Sequence, residues 1–371
     1  MVGSSWFRRA GPAVAALGAV ALIASTTLGA PDRPWVPWAC AGSARVGAPL
    51  HGTWYRIDPI VQAGSRAGTR LTIGRAGSRE TRTLSLDPES FAAGPFRGTI
   101  LVGSDDGTRS RLSLIDAALA CSWALDASVD VVRTATLAPD GTTVYESRVD
   151  RRTRADLGIW RRMLDGSTPP TQILGPIVDD ARFGPTWITD LVWSDDGRSL
   201  AVQSCGEVAC RVRILDPVDG AVRLIADPAM GDIVGLSDGR LVAHGACRGL
   251  PCPLLSVDLD DGSTAILDHA AGQAVLSRDA RDGVVVIHEV GGTGHTLRVV
   301  GLDGQGARLV AGDPDGRRLV AGPARSGSAA EHLPAWILFG PDGRLPGDGS
   351  LRPVLRHVLD GRAVPLDEVS R

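Results

Sequence analysis

Short apolar runs broken by Asp-Gly turns recur along the middle of this chain, and the segment around position 200 shows the unit most clearly. Leu191-Val192-Trp193-Ser194 is followed by Asp195-Asp196-Gly197, a turn signal because Asp and Gly tolerate left-handed backbone conformations. Leu200-Ala201-Val202 opens a second run. Val212 and Ile214 then alternate with Arg211 and Arg213, the period of two expected of a half-exposed strand. Asp216-Pro217-Val218-Asp219-Gly220 makes another turn, and Val222, Leu224 and Ile225 a fourth run. Four strands in about 40 residues, joined by tight turns, predict one antiparallel meander.

The unit repeats. One copy runs from Leu137-Ala138-Pro139-Asp140-Gly141 to Leu164-Asp165-Gly166, another from Leu236-Ser237-Asp238-Gly239 to Asp260-Asp261-Gly262. Looser copies centre on Val284-Val285-Val286-Ile287 and on Asp313-Pro314-Asp315-Gly316, the latter ending near Phe339-Gly340-Pro341-Asp342-Gly343. Upstream, 99–125 fits with its turn at Asp105-Asp106-Gly107, and 70–86 makes a weak first copy. Two consecutive copies carry cysteines in matched places: Gly197, Cys205, Cys210, Asp216 and Gly239, Cys247, Cys252, Asp258, with intervals of eight, five and six residues in both. A period near 40–45 residues with four strands per unit is that of a β-propeller blade. The expectation is an all-β chain with six or seven blades of four antiparallel strands. Residues 70–371 form the propeller, 32–69 an arm or partial first blade, and 1–31 a leader.

Two stretches resemble a known family. Ser-Asp-Asp-Gly-Arg-Ser-Leu-Ala-Val at 194–202 is similar to the entry into the second strand of WD40-like, TolB-type bacterial propeller repeats. Ile159-Trp160-Arg161-Arg162-Met163-Leu164-Asp165-Gly166 resembles their third strand and following turn. The resemblance covers roughly 70–343 and is strongest over 131–304; the Trp-Asp dipeptide of eukaryotic WD40 blades is absent. Such a resemblance implies a rigid disc that binds partners or ligands at one face, and no particular reaction.

Composition narrows the compartment and partners. The 371 residues are 43% hydrophobic and 22% charged, with 46 Gly and 24 Pro, as suits a globular chain with many turns. A net charge of −3 gives no global attraction to nucleic acid. All 39 basic residues are Arg, so Lys-based covalent chemistry is excluded, and without Asn there is no N-glycosylation site. Arg8 and Arg9 precede an uncharged stretch from Ala10 to Pro31, the pattern of a secretory signal peptide and also long enough to stay as a membrane anchor. Localisation outside the cytoplasm is expected, secreted or anchored, with membrane contact only through that segment.

The cysteines fit this address. Cys205, Cys210, Cys247 and Cys252 read as two disulfides, each closing a hairpin between the second and third strands of a blade. Two C-x₄-C pairs binding zinc are the other reading, although zinc ribbons use shorter spacings. Cys40 and Cys121 are candidates for a third bridge from the N-terminal arm to an early blade. At the same hairpin position the preceding unit carries Arg148, Asp150, Arg151, Arg152, Arg154 and Asp156. Arg151, Arg152 and Arg154 are the candidate partner-binding loop, since guanidinium forks suit carboxylate and phosphate; a solvated loop balanced by its own aspartates is the plainer reading. The later equivalents are Gly291-Gly292-Thr293-Gly294-His295 and Arg325-Ser326-Gly327-Ser328 with Glu331 and His332.

Enzyme signatures are missing: no nucleophile elbow, no H-E-x-x-H and no P-loop. His288-Glu289 are strand neighbours that face opposite ways. Asp258, Asp260 and Asp261 lack the distal Glu of a calcium loop and read as a turn. Trp35, Trp38 and Trp54 suit core or strand positions better than a sugar platform. The expected function is a non-enzymatic, monomeric binding or scaffold module for a protein or envelope component, without cofactor, metal or nucleic acid. The alternative is a propeller-fold hydrolase or lyase acting on glycans at a central channel.

Overall fold

The computed structural model describes residues 37–46, 53–62, 65–75, 81–96, 98–116, 120–177, 185–194, 196–207, 209–225, 230–245, 251–277, 284–291, 294–313, 317–321, 336–341, 354–357 and 363–365. These residues form strands, turns and bends with no helix, so none contains a helix long and apolar enough to cross a membrane. The Ala10–Pro31 segment, Trp35, Cys247 and the 325–332 loop lie outside the described residues.

A short β1 (Trp38–Ala39) comes first, then a three-stranded sheet of β2 (Thr53–Gln62), β3 (Ser65–Arg75) and β4 (Thr81–Leu86). The second sheet holds β5 (Phe91–Phe96), β6 (Thr99–Asp105), β7 (Ser110–Asp116) and β8 (Cys121–Ala124), with β1 added parallel to β8 at its edge. The third holds β9 (Val131–Leu137), β10 (Thr143–Val149), β11 (Asp156–Met163) and β12 (Thr171–Leu174). The fourth holds β13 (Trp187–Trp193), β14 (Leu200–Cys205), β15 (Cys210–Leu215) and β16 (Val222–Leu224). The fifth holds β17 (Met230–Ser237), β18 (Arg240–Gly245), β19 (Cys252–Asp258) and β20 (Thr264–Ala271). The sixth holds β21 (Gln273–Ser277), β22 (Val284–Gly291), β23 (Gly294–Gly301) and β24 (Arg308–Asp313). The seventh holds β25 (Arg317–Ala321), β26 (Trp336–Pro341), β27 (Val354–His357) and β28 (Ala363–Pro365). Apart from β1, every strand pairs antiparallel with its sequence neighbour.

Tight turns make these meanders local. In turn after turn an Asp Oδ1 accepts a hydrogen bond from the amide two residues on: Asp140 from Thr142 at 2.7 Å, Asp165 from Ser167 at 2.9 Å, Asp258 from Asp260 at 2.9 Å. The side chain thereby replaces a backbone partner and fixes the reversal. Asp258 also receives Arg240 at 2.8 Å, so the acidic run at 258–261 is built as a turn.

Each core lies between two consecutive sheets. Leu101 and Leu114 of the second sheet meet Val132, Leu137 and Val144 of the third. Tyr145 and Ile159 meet Ile188, Trp193 and Leu200 of the fourth. Val212 and Ile214 meet Ile233, Leu241 and Val257 of the fifth, and Val242 and Leu254 meet Leu276 and Val300 of the sixth. Adjacent residues such as Val144 and Tyr145 thus face opposite cores. All of β10 is buried, although its sequence, Thr-Val-Tyr-Glu-Ser-Arg-Val, mixes apolar, polar and charged residues. An isolated parallel bridge, Ser194 to Leu236, shows that the first strands of the fourth and fifth sheets run the same way.

β3 spans the expected boundary at 69/70, and Val36–Arg371 form one compact unit that includes the described residues of the arm. The second sheet begins at β5, whose Phe-Ala-Ala-Gly-Pro-Phe reads poorly as a strand. A register shift between Ala93 and Phe96 absorbs Gly94, at φ 118°, and Pro95. Opposite it, the Phe91 ring fills the space a side chain at Gly103 would need. Cys40 is joined to Cys121 across 81 residues, pinning the arm beside β8. Trp38 in β1 is 72% exposed, on neither a core nor an inner strand.

Candidate binding face

The hairpins between second and third strands lie at one end of their sheets, and those of the second and third sheets are linked to each other. In the β6–β7 hairpin, Asp106 Oδ1 accepts from the amides of Thr108 and Arg109, both at 2.9 Å, and from the Thr108 hydroxyl at 2.7 Å. That hydroxyl is the leading reason its carboxyl lies well below the usual range. Asp105 faces the next sheet, where Arg151 of the β10–β11 hairpin donates from Nη1 to Oδ1 at 2.9 Å and from Nη2 to Oδ2 at 2.5 Å. Arg151 Nε also donates to the Val129 carbonyl at 3.0 Å. Arg151 holds the Asp105 carboxyl below its ordinary value, and Asp105 in turn raises Arg151.

The β10–β11 hairpin is itself fixed by Asp150, whose Oδ1 accepts from the Thr153 amide at 2.6 Å and hydroxyl at 2.8 Å. Its last turn places Arg154 at φ 62°, and the Arg154 carbonyl accepts from Trp187 Nε1 of the fourth sheet at 2.7 Å. Arg133 lies 5.8 Å from the centre of the Trp187 ring. In the fourth sheet the Cys205–Cys210 disulfide joins two residues paired across β14 and β15. Cys252, at the start of β19, is likewise disulfide-bonded.

The six charged residues of the β10–β11 segment therefore separate into distinct roles. Arg148 and Asp156 are buried. Arg148 lies 4.4 Å from the Trp160 ring centre and is bonded to Glu146, whose Oε1 also takes Arg162 Nη2 at 3.0 Å. Arg162 Nη1 donates to the Asp126 carbonyl at 2.7 Å, which ties this charge cluster to the second sheet. Asp156 Oδ2 accepts from the Ile177 amide at 3.0 Å, and burial pushes its carboxyl up. Asp150 and Arg151 hold loops together. Arg152 and Arg154 alone present exposed guanidinium groups to solvent.

Asp105, Trp187, Glu146 and Arg162 carry no sequence signal for these roles, because each acts on a residue in another strand or sheet. The first strands of the fourth and fifth sheets carry half-exposed Asp190 on β13 and exposed Asp232 on β17. Among the described residues no three His, Cys, Asp or Glu side chains converge as a metal site would require.

No protein-family model matches the chain, and no curated protein matches it in sequence. Solved structures do match. An oligogalacturonate lyase in complex with manganese is 10% identical, over 88% of this chain and 86% of that one, with a TM-score of 0.54. The β-propeller domain of the Trilobed protease from Pyrococcus furiosus is 12% identical, over 88% and 97%, with a TM-score of 0.52. TolB from Acinetobacter baumannii is 15% identical over 75% of this chain, with a TM-score of 0.49, and this chain spans 66% of its length. At such identities the likeness speaks for fold alone: the chain is a β-propeller, with TolB-type proteins among its structural neighbours.

Proposed function

We propose that this protein is an exported, non-enzymatic β-propeller that acts as a binding or scaffold module of the cell envelope through its hairpin face. The observation that supports this most is the loop network. Asp105, Arg151, Arg154 and Trp187 join hairpin and strand ends of three consecutive sheets, which leaves Arg152 and Arg154 exposed on a rigid base. A pre-ordered surface loses little entropy on binding, and planar guanidinium forks suit carboxylate or phosphate on a partner. Disulfides support export, since they persist in oxidising compartments. We read the seven sheets as seven blades; β2 adjoins both β5 and β25, as closure of the first sheet on the last requires. The protein acts as a monomer, and any membrane attachment runs through 1–31.

The test compares full-length protein with Arg152→Ser/Arg154→Ser in capture from envelope extract. Arg151 is left intact because it serves the fold. A specific component captured by the wild type and lost by the double variant, with unfolding unchanged, supports the reading. Equal capture by both removes the hairpin face from it. The alternative, a glycan-active hydrolase or lyase, draws on Asp190 and Asp232, carboxylates on the first strands of adjacent sheets. Turnover of a glycan panel by the wild type and not by Asp190→Asn/Asp232→Asn would establish it.

A further inference from the structure

In an antiparallel meander the turn between first and second strands and the turn between third and fourth lie at the same end, opposite the hairpins. The aspartates that shape those turns are therefore gathered on one face. Asp140, Asp165, Asp196, Asp219, Asp238 and Asp260 are all exposed there. Arg198 and Arg240, in the same turns, each pair with an aspartate of their own sheet, Asp196 at 3.8 Å and Asp258 at 2.8 Å. The hairpin end exposes both signs, Arg109, Arg152 and Arg154 with Asp106 and Glu207, whereas exposed aspartates predominate on the turn face.

On the acidic face a groove of about 840 Å³ opens between the third and fourth sheets. Tyr145 and Trp193 line it, their rings edge to face at 4.9 Å. Trp193 is 2% exposed, and its indole N–H has no hydrogen-bond partner. Pro139 forms part of the wall, and Val218 at the rim is 93% exposed. Asp140 and Asp196 come from the two turns that flank the groove, while Arg161, the one cation among its lining residues, sits beside the Tyr145 hydroxyl. Exposed apolar surface and flanking carboxylates together describe the complement of a peptide that carries aliphatic and basic side chains.

We propose that this groove docks an extended segment of a partner protein that alternates aliphatic and basic residues. The aliphatic side chains cover Val218 and Pro139, and Lys or Arg side chains meet Asp140 and Asp196. The groove lies on the face opposite the hairpins, so the inference stands apart from the function proposed above.

The test is fluorescence anisotropy with a labelled Gly-Arg-Leu-Arg-Val-Arg-Gly peptide and a counterpart with Glu for each Arg, at low and high ionic strength. The full-length protein is compared with Val218→Glu and with Asp140→Asn/Asp196→Asn, in which Asn keeps the turn acceptor. The expected result is binding of the basic peptide, weakened by salt and about tenfold or more in both variants, with Arg152→Ser/Arg154→Ser unaffected. Matching unfolding midpoints exclude loss of fold as the cause. No binding, equal binding by the variants, or preference for the acidic peptide overturns the proposal. Self-association of the wild type that Val218→Glu abolishes would assign the groove to a second copy and overturn it equally.

Discussion

Arg151 places both terminal nitrogens on the two carboxylate oxygens of Asp105, 46 residues earlier in the chain and in the neighbouring sheet. The pair is partly buried, with 9% of the Asp105 side chain and 25% of the Arg151 side chain exposed, so solvent screens it less than a surface pair. Arg151→Ala is expected to cost about 1–2 kcal/mol in denaturant unfolding. A double-mutant cycle with Asp105→Ala should return most of that as coupling between the two. A coupling near zero would make the contact incidental.

The same pair sets an acid response. Arg151 holds the Asp105 carboxyl below its ordinary value, so the native state binds that proton less tightly than the unfolded chain. Its stabilisation is complete above the unfolded value, about pH 4, and is lost as pH falls below it toward the native value. The stability difference between wild type and Arg151→Ala, measured by unfolding at stepped pH, should therefore shrink below about pH 4. A difference that grows with acid contradicts the assignment.

Among the described residues, Glu146 is the carboxylate bonded to both buried guanidinium groups, Arg148 and Arg162. Removing the carboxylate leaves two buried cations without that anion. Glu146→Ala should cost about 3–5 kcal/mol, with Glu146→Gln intermediate because it keeps the shape and an acceptor. Unfolding that is indifferent to either substitution would mean water enters and solvates the cluster.

Gly158 sits at φ 77°, and an added Cβ would lie 2.0 Å from the Leu174 carbonyl oxygen. Gly158→Ala therefore meets both backbone strain and a clash with the partner strand, and should destabilise by at least about 2 kcal/mol. Gly107→Ala, also at positive φ but in open space, gives the strain alone and should cost less.

Two of the bridges differ in the loop each closes. Cys205 and Cys210 are five apart and Cys40 and Cys121 are 81 apart. Loop entropy predicts about 2 kcal/mol for the first and up to about 4.5 kcal/mol for the second. Unfolding of Cys205→Ser/Cys210→Ser and of Cys40→Ser/Cys121→Ser should rank in that order. The second variant alone should also raise hydrogen exchange at β1, which is held by a two-residue pairing besides the bridge.

The repeat was legible where its determinants are local. Asp-Gly turns, apolar runs of strand length and matched cysteines predict the meanders of the third to fifth sheets, because an Asp side chain bonding its own turn needs nothing distant. The β5 strand was not legible, since Gly94 and Pro95 are strand breakers tolerated only through a register shift. The hairpin arginines were visible as a group but not as individuals. Position along the chain cannot say that Arg148 turns inward to Glu146, that Arg151 crosses to Asp105, or that Arg152 stays in water.

What the sequence by itself determined is therefore the unit: four short strands, their turns, their period and the cysteines that match between copies. All of this arises from interactions within a few residues. What only the tertiary structure decided is how charge is used. Stacking the sheets buried Glu146 with two arginines, joined Arg151 to its neighbour's loop, and gathered the turn aspartates on one face beside the groove at Trp193. Those outcomes depend on which strand lies against which, and that alignment is set by side chains packed between sheets, far apart in the chain.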